Sequence, residues 1–203
     1  MNNILDSAKL LRDKIWFTRK SWINAESRLL SNDFHTQFLM VVYSVYSVCL
    51  SVILLKYNPI SDNAANIFSV NLSVVLLGLA LYLNTRSFKD RAQQFKNGYI
   101  KLQDIDDKLN QVGILASQSE MVAEYNIQFT RYNLLLGEVE NHTEFDDLYS
   151  RYRAGPGLTT RKLGRLEKLK IFLLRMFRFF ALTLFYVGPM LAFIFLWLKD
   201  TNG

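Results

Sequence analysis

Three long stretches without charge constrain this chain more than anything else in it. The first has its apolar heart at Phe38–Leu55, the second at Ile67–Leu83, and the third runs Phe179–Leu198. A helix rises about 1.5 Å per residue, so roughly 18 to 20 apolar residues cross a hydrocarbon layer of about 30 Å. Soluble domains rarely hold three such windows. The stretches therefore predict an all-α membrane protein: a transmembrane helical hairpin, long cytoplasmic helices forming a bundle, and a third, C-terminal transmembrane helix. Mean hydropathy is only +0.07 because charged segments dilute the apolar ones.

Orientation follows from Lys and Arg. Residues 1–37 carry six, the link 56–63 carries Lys56, residues 84–178 carry sixteen, and the last five carry Lys199, which completes the twenty-four. This places the N-terminus in the cytoplasm, the 56–63 hairpin outside, the long central segment inside and the C-terminus outside, in a multi-pass membrane protein. Met1–Asp33 is charged throughout, so no cleavable signal is expected and Phe38–Leu55 would act as the anchor. The one cysteine, Cys49, gives no intrachain disulfide framework.

The net charge of +6 has a local origin. Between Gly155 and Arg178 stand Arg161, Lys162, Arg165, Lys168, Lys170, Arg175 and Arg178 against one acid, Glu167. Seven minus one is the whole excess; the remaining seventeen bases and seventeen acids cancel. A basic run beside a membrane span attracts anionic lipids by about 1 kcal/mol per residue. No base-stacking or groove-reading motif accompanies it, so lipid contact, not nucleic-acid binding, is the expectation.

Outside the spans the periodicity is helical. Ile4, Ala8, Leu11, Ile15, Thr18, Trp22, Ala25 and Leu29 alternate spacings of four and three, as an a/d seam does. Phe88, Ala92, Phe95, Tyr99, Leu102, Ile105, Leu109 and Val112 repeat the pattern. Ser117-Gln118-Ser119-Glu120 is a capping box that predicts a new helix, with a seam through Val122, Tyr125, Phe129, Tyr132, Leu136 and Val139. Gly155-Pro156-Gly157 ends it. No strand-like alternation of useful length interrupts this order. The predicted organisation is a domain over 1–154, a basic juxtamembrane segment over 155–178, and a third span with a short tail over 179–203. Part of each seam is expected to join copies, because membrane hairpins of this size bury little alone.

Within the spans, Ser44, Ser47 and Ser51 form a narrow polar stripe, and Asn71 and Gly78 share a face of the second span. Such residues serve close helix packing, pore lining, or both in turn. Gly188-Pro189 breaks the third span's hydrogen-bond ladder and predicts a hinge. His142, with Glu138 four before and Asp146 four after, would share one helical face with them, which suits a carboxylate contact better than a metal, since no second ligand cluster is visible. His35 falls at the entrance of the first span. No nucleophile elbow, phosphate loop, Cys-x-x-Cys or nucleophile with an obvious base is present, so neither an enzyme nor a bound cofactor is expected.

Three blocks together resemble a known family. Trp16-Phe17-Thr18-Arg19 and Asn24-Ala25-Glu26-Ser27-Arg28-Leu29 lead into the first span with its Tyr43-Ser44-Val45-Tyr46-Ser47 start. Arg91-Ala92, Phe95, Tyr99 and Leu102 follow the second span. Tyr132-Asn133-Leu134-Leu135 then leads to Glu140-Asn141-His142 and Asp146. In this order around a hairpin, over about residues 10–150, they resemble the SLATT domain, the SMODS and SLOG-associating two-transmembrane effectors of bacterial conflict systems. The resemblance implies an antiphage membrane effector that oligomerises and permeabilises or disrupts the inner membrane, causing abortive infection. It implies a trigger from a separately encoded sensor, nucleotide-messenger synthase or reverse transcriptase. Trp22, Tyr99, Tyr132, Asn141, His142 and Asp146 would then serve bundle integrity and assembly. A membrane anchor that recruits another active protein, or a small channel or transport subunit, is the alternative. The third span departs from the family's two.

Overall fold

A computed structural model describes residues 2–57, 60–155 and 161–201. It is helical, with no strand among the described residues: α1 (Asn2–Tyr57), α2 (Asp62–Arg86), α3 (Phe88–Gln111), a 3-10 turn (Val112–Ile114), α4 (Gln118–Glu138), α5 (Glu144–Ala154) and α6 (Arg165–Thr201). Three of these helices are long and apolar enough to cross a membrane, and the all-α membrane fold expected from the spans is the one observed. Contacts divide the chain into two compact units. One comprises Met1–Leu30 with Lys89–Ile171, the other Ser31–Phe88 with Phe172–Gly203.

The first unit is a helical bundle with an ordinary core. Its α1 contributes Ala8, Leu11, Ile15, Trp22, Ala25 and Leu29, all buried at the predicted seam positions. Along α3 the seam is buried in the same way, from Ala92 through Phe95, Leu102, Ile105 and Leu109 to Val112 of the following turn. The predicted capping box starts α4: Ser117 accepts from the Glu120 amide, and the Glu120 carboxylate accepts from the Ser117 amide. A second box, Thr143 with Asp146, starts α5 in the same way.

Two sequence expectations in this unit are corrected. The α4 seam is displaced: Met121, Gln128, Tyr132 and Leu135 are buried, whereas Val122 and Phe129 are exposed. Gln128 takes a core position because its amide donates to Glu124 at 2.7 Å. A pattern built on apolar residues passes over it and settles one position along. The shared helical face of Glu138, His142 and Asp146 is also absent. Glu138 is the last residue of α4 and α5 opens only at Glu144, so His142 stands in the connection. Of the Gly155-Pro156-Gly157 break, Gly155 ends α5 at φ 61°, where a Cβ would be strained; Pro156 and Gly157 lie outside the described residues, as do Asn58 and Pro59 of the link between α1 and α2.

The second unit is built the other way round. Its core is small: Leu39, Tyr43 and Leu50 of α1 and Leu72 of α2, with Phe68, Tyr186 and Phe193 packed against them. Its outer surface is apolar, with Val41, Val48, Leu55, Val70, Val74, Leu77 and Phe195 each more than half exposed. A water-soluble domain rarely tolerates a contiguous surface of this kind, whereas lipid requires it. At the C-terminal end of α2 the helix does not run on unbroken into α3. Ser87 adopts a left-handed conformation (φ 42°, ψ 48°) and separates α2 from α3.

Candidate functional site

The membrane unit holds an arrangement that composition alone hides. Pro189 lies inside α6 and has no N–H to give the Phe185 carbonyl four residues earlier. In hydrocarbon such an orphaned acceptor is costly. The Tyr43 hydroxyl of α1 donates to that carbonyl at 3.1 Å, and the Tyr46 hydroxyl donates to the neighbouring Tyr186 carbonyl at 2.9 Å. The α6 backbone just before Pro189 is therefore held to α1 by two phenols one helical turn apart. Tyr186 continues the network, since its hydroxyl lies 3.0 Å from His35 Nδ1. Beside the hinge is a groove of about 280 Å³ lined by Asn71, Leu72, Gly188 and Pro189 among others. The structure thus brings Asn71 and Gly188-Pro189 to one groove. Tyr43 and Tyr46 enter the sequence reading only as part of the start of the first span, since no spacing announces acceptors 142 and 140 residues away on another helix.

The small and polar stripe faces away from the unit's interior. Ser44 and Ser51 are exposed, and each hydroxyl donates to its own helix, to the Met40 and Ser47 carbonyls at 2.8 and 3.0 Å. Ser47 is half-buried, Asn71 is exposed, and a Cβ on Gly78 would meet nothing within 4 Å. Serine hydroxyls satisfied within their own turn tolerate lipid. An amide at the middle of α2 gains more from a partner, because it carries two donors and an acceptor.

In the bundle unit Trp22, Tyr132 and Asp146 of the resemblance residues are buried. A Cβ on Gly98 would come within 2.6 and 2.8 Å of the Trp22 ring, so α3 touches α1 closely there. The Trp22 ring also meets Phe95 edge-on at 6.2 Å. Tyr132 lies 3.3 Å from the Thr18 hydroxyl. Tyr99 is half-buried, and burial first, then the Glu26 carboxylate beside it, pushes its phenol pKa up. Asp146 is almost wholly buried and takes two bonds from Arg28 at 2.8 and 2.9 Å, while its carboxylate also caps α5. Arg91 makes a similar fork with Glu140 at 2.7 and 2.6 Å. Asn141 is exposed and His142 half-buried. Among the described residues no group of three or more His, Cys, Asp or Glu is placed to hold a metal.

The basic run extends over both units, Arg161 to Lys170 in the bundle unit and Arg175 and Arg178 in the other. The Arg161 guanidinium lies 4.8 Å from the Phe17 ring, and Lys170 pairs with Glu144 at 2.7 Å. Arg178, in the membrane unit, donates to the Ser31 hydroxyl at 2.9 Å. Lys162, Arg165, Lys168 and Arg175 are exposed.

No curated protein and no solved structure matches this chain. One family model does, over residues 4–197, and it is described as SMODS and SLOG-associating 2TM effector domain family 5. The match takes in both seams, the hairpin, the Arg28–Asp146 pairing and most of the third apolar helix. The chain therefore belongs to the SMODS and SLOG-associating two-transmembrane (SLATT) effector domain family, with a third helix long and apolar enough to span.

Proposed function

We propose that this protein is a membrane effector of a bacterial antiphage system. On a signal from a separately encoded partner or second messenger it assembles within the inner membrane and permeabilises it, ending the infected cell. Family membership supports the class. The observation that carries the mechanism is Asn71, an exposed amide in the middle of α2 that shares a groove with the Gly188-Pro189 hinge. A second copy that meets this face gives the amide a hydrogen-bonding partner, and Gly78, open two turns along, lets the backbones approach. Motion of the hinge then changes which surface the amide meets, from helix to water.

In this reading the N-terminus is cytoplasmic and the C-terminus outside, as the Lys and Arg distribution directs. The basic run of α6 meets the anionic inner leaflet. The test is Asn71→Leu, which keeps the span insertable. Toxicity and dye leakage are expected to disappear while expression and membrane localisation persist. The anchor-and-recruiter reading has one observation in its favour, the exposed Ile100, Ile127 and Leu134 on α3 and α4. It predicts full activity for Asn71→Leu and loss on replacing those three.

A further inference from the structure

The membrane unit contains a second, larger cleft, of about 470 Å³. That volume falls within the roughly 300–1,000 Å³ of small-molecule sites. The cleft is polarised along the spans. Asn32, His35 and Arg178 line one end, at positions just outside the apolar windows that begin at Phe38 and Phe179. Leu39, Leu79 and Ala181 line the other, inside those windows. A cleft that is polar at the headgroup level and apolar at the chain level fits an amphiphile lying along the spans.

Charge selects among amphiphiles. Arg178 contributes a cation to the wall, and none of the lining residues is an acid. A guanidinium is a planar fork suited to phosphate oxygens. It is held from the side by the Ser31 hydroxyl at 2.9 Å. The His35 ring is held by Tyr186 at 3.0 Å, and the ring of Tyr82, which also lines the cleft, has the Arg86 guanidinium 5.6 Å from its centre. The wall is thus set in place by neighbours, with the Arg178 guanidinium at its polar end.

We propose that this cleft binds one anionic phospholipid, with its phosphate at Arg178 and Asn32 and an acyl chain along Leu39, Leu79 and Ala181. This goes beyond the diffuse attraction of a basic segment, because it assigns a single lipid to a single site and separates Arg178 from the other six bases.

Native mass spectrometry of the full chain in detergent, titrated with phosphatidylglycerol or with phosphatidylcholine, tests it. The expected result is one retained phosphatidylglycerol per chain and weaker retention of phosphatidylcholine. Arg178→Gln should weaken phosphatidylglycerol by about fivefold, the worth of one cation near a lipid surface. Arg175→Gln, an exposed base outside the cleft, should change nothing. Ala181→Phe fills the apolar end without touching charge and should also expel the lipid; it decides the matter if Arg178→Gln unfolds. Inorganic phosphate should not compete. Equal retention of both lipids, equal loss in Arg175→Gln, unaltered retention in Ala181→Phe, or displacement by phosphate alone would each overturn the proposal. The readout is lipid retention, not membrane damage, so its failure leaves the permeabilising reading standing.

Discussion

Gly98 and Trp22 show how much a single contact decides in the bundle. A methyl at position 98 has nowhere to go, because ring carbons of Trp22 would stand 2.6 and 2.8 Å from it and Val139 3.0 Å. Gly98→Ala should therefore destabilise the bundle by about 1–3 kcal/mol through overpacking. Trp22→Ala should cost about 3–5 kcal/mol through the cavity it leaves. Denaturant unfolding of the purified chain measures both, and unchanged stability in either variant would mean that the two helices do not meet as described. Asp146 is the other critical residue. Removing it leaves the partly buried Arg28 without its bidentate partner and the Thr143 amide without its half of the capping box, so Asp146→Ala should cost about 3 kcal/mol or more. Asp147→Ala, which loses only a contact with Arg151 on its own helix, should cost well under half of that. Trp22 was legible in the sequence because it sits on a seam with a period. The Arg28–Asp146 pair was not, since no spacing announces a partner 118 residues away. His142 misled for the opposite reason: its spacing suits a helix that ends before reaching it.

The elements divide in the same way. The long apolar stretches, the α1 and α3 seams and the Ser117 capping box were readable, because burial and capping each impose a local pattern. The face of α4 was not, because a satisfied Gln128 replaces an apolar residue in the core. Nor was the break at Ser87, where a serine holds a left-handed turn usually left to glycine or asparagine. In the membrane unit Pro189 announced a hinge, but its latch belongs to another helix. If Tyr43 exists to satisfy the carbonyl that Pro189 frees, the two must be energetically coupled. Tyr43→Phe should destabilise the membrane unit by about 0.6–2 kcal/mol. Pro189→Ala restores an N–H for Phe185, so in that background the same change should cost much less. Unfolding of the four chains in detergent measures the coupling, and additive effects would show that the phenol and the proline act separately.

For the whole molecule, belonging to an effector family and possessing three apolar helices place its work in a membrane, while the direction and form of that work are our proposal. The Lys and Arg distribution predicts an inside N-terminus and an outside C-terminus. Topology reporters fused at Met1 and Gly203 should report opposite sides, and finding both ends on one side would remove one span from the account. The outward Asn71 and Gly78 make the lipid-facing surface of one copy a surface suited to another, so activity and assembly should be lost together when Asn71 becomes Leu. The most direct measurement is the membrane potential of cells carrying the chain with its triggering partner, followed with a voltage-sensitive dye as the trigger is applied. The account predicts collapse of the potential before loss of viability in cells with the native sequence, and a maintained potential with Asn71→Leu. Triggered cells that die with their potential intact would contradict it.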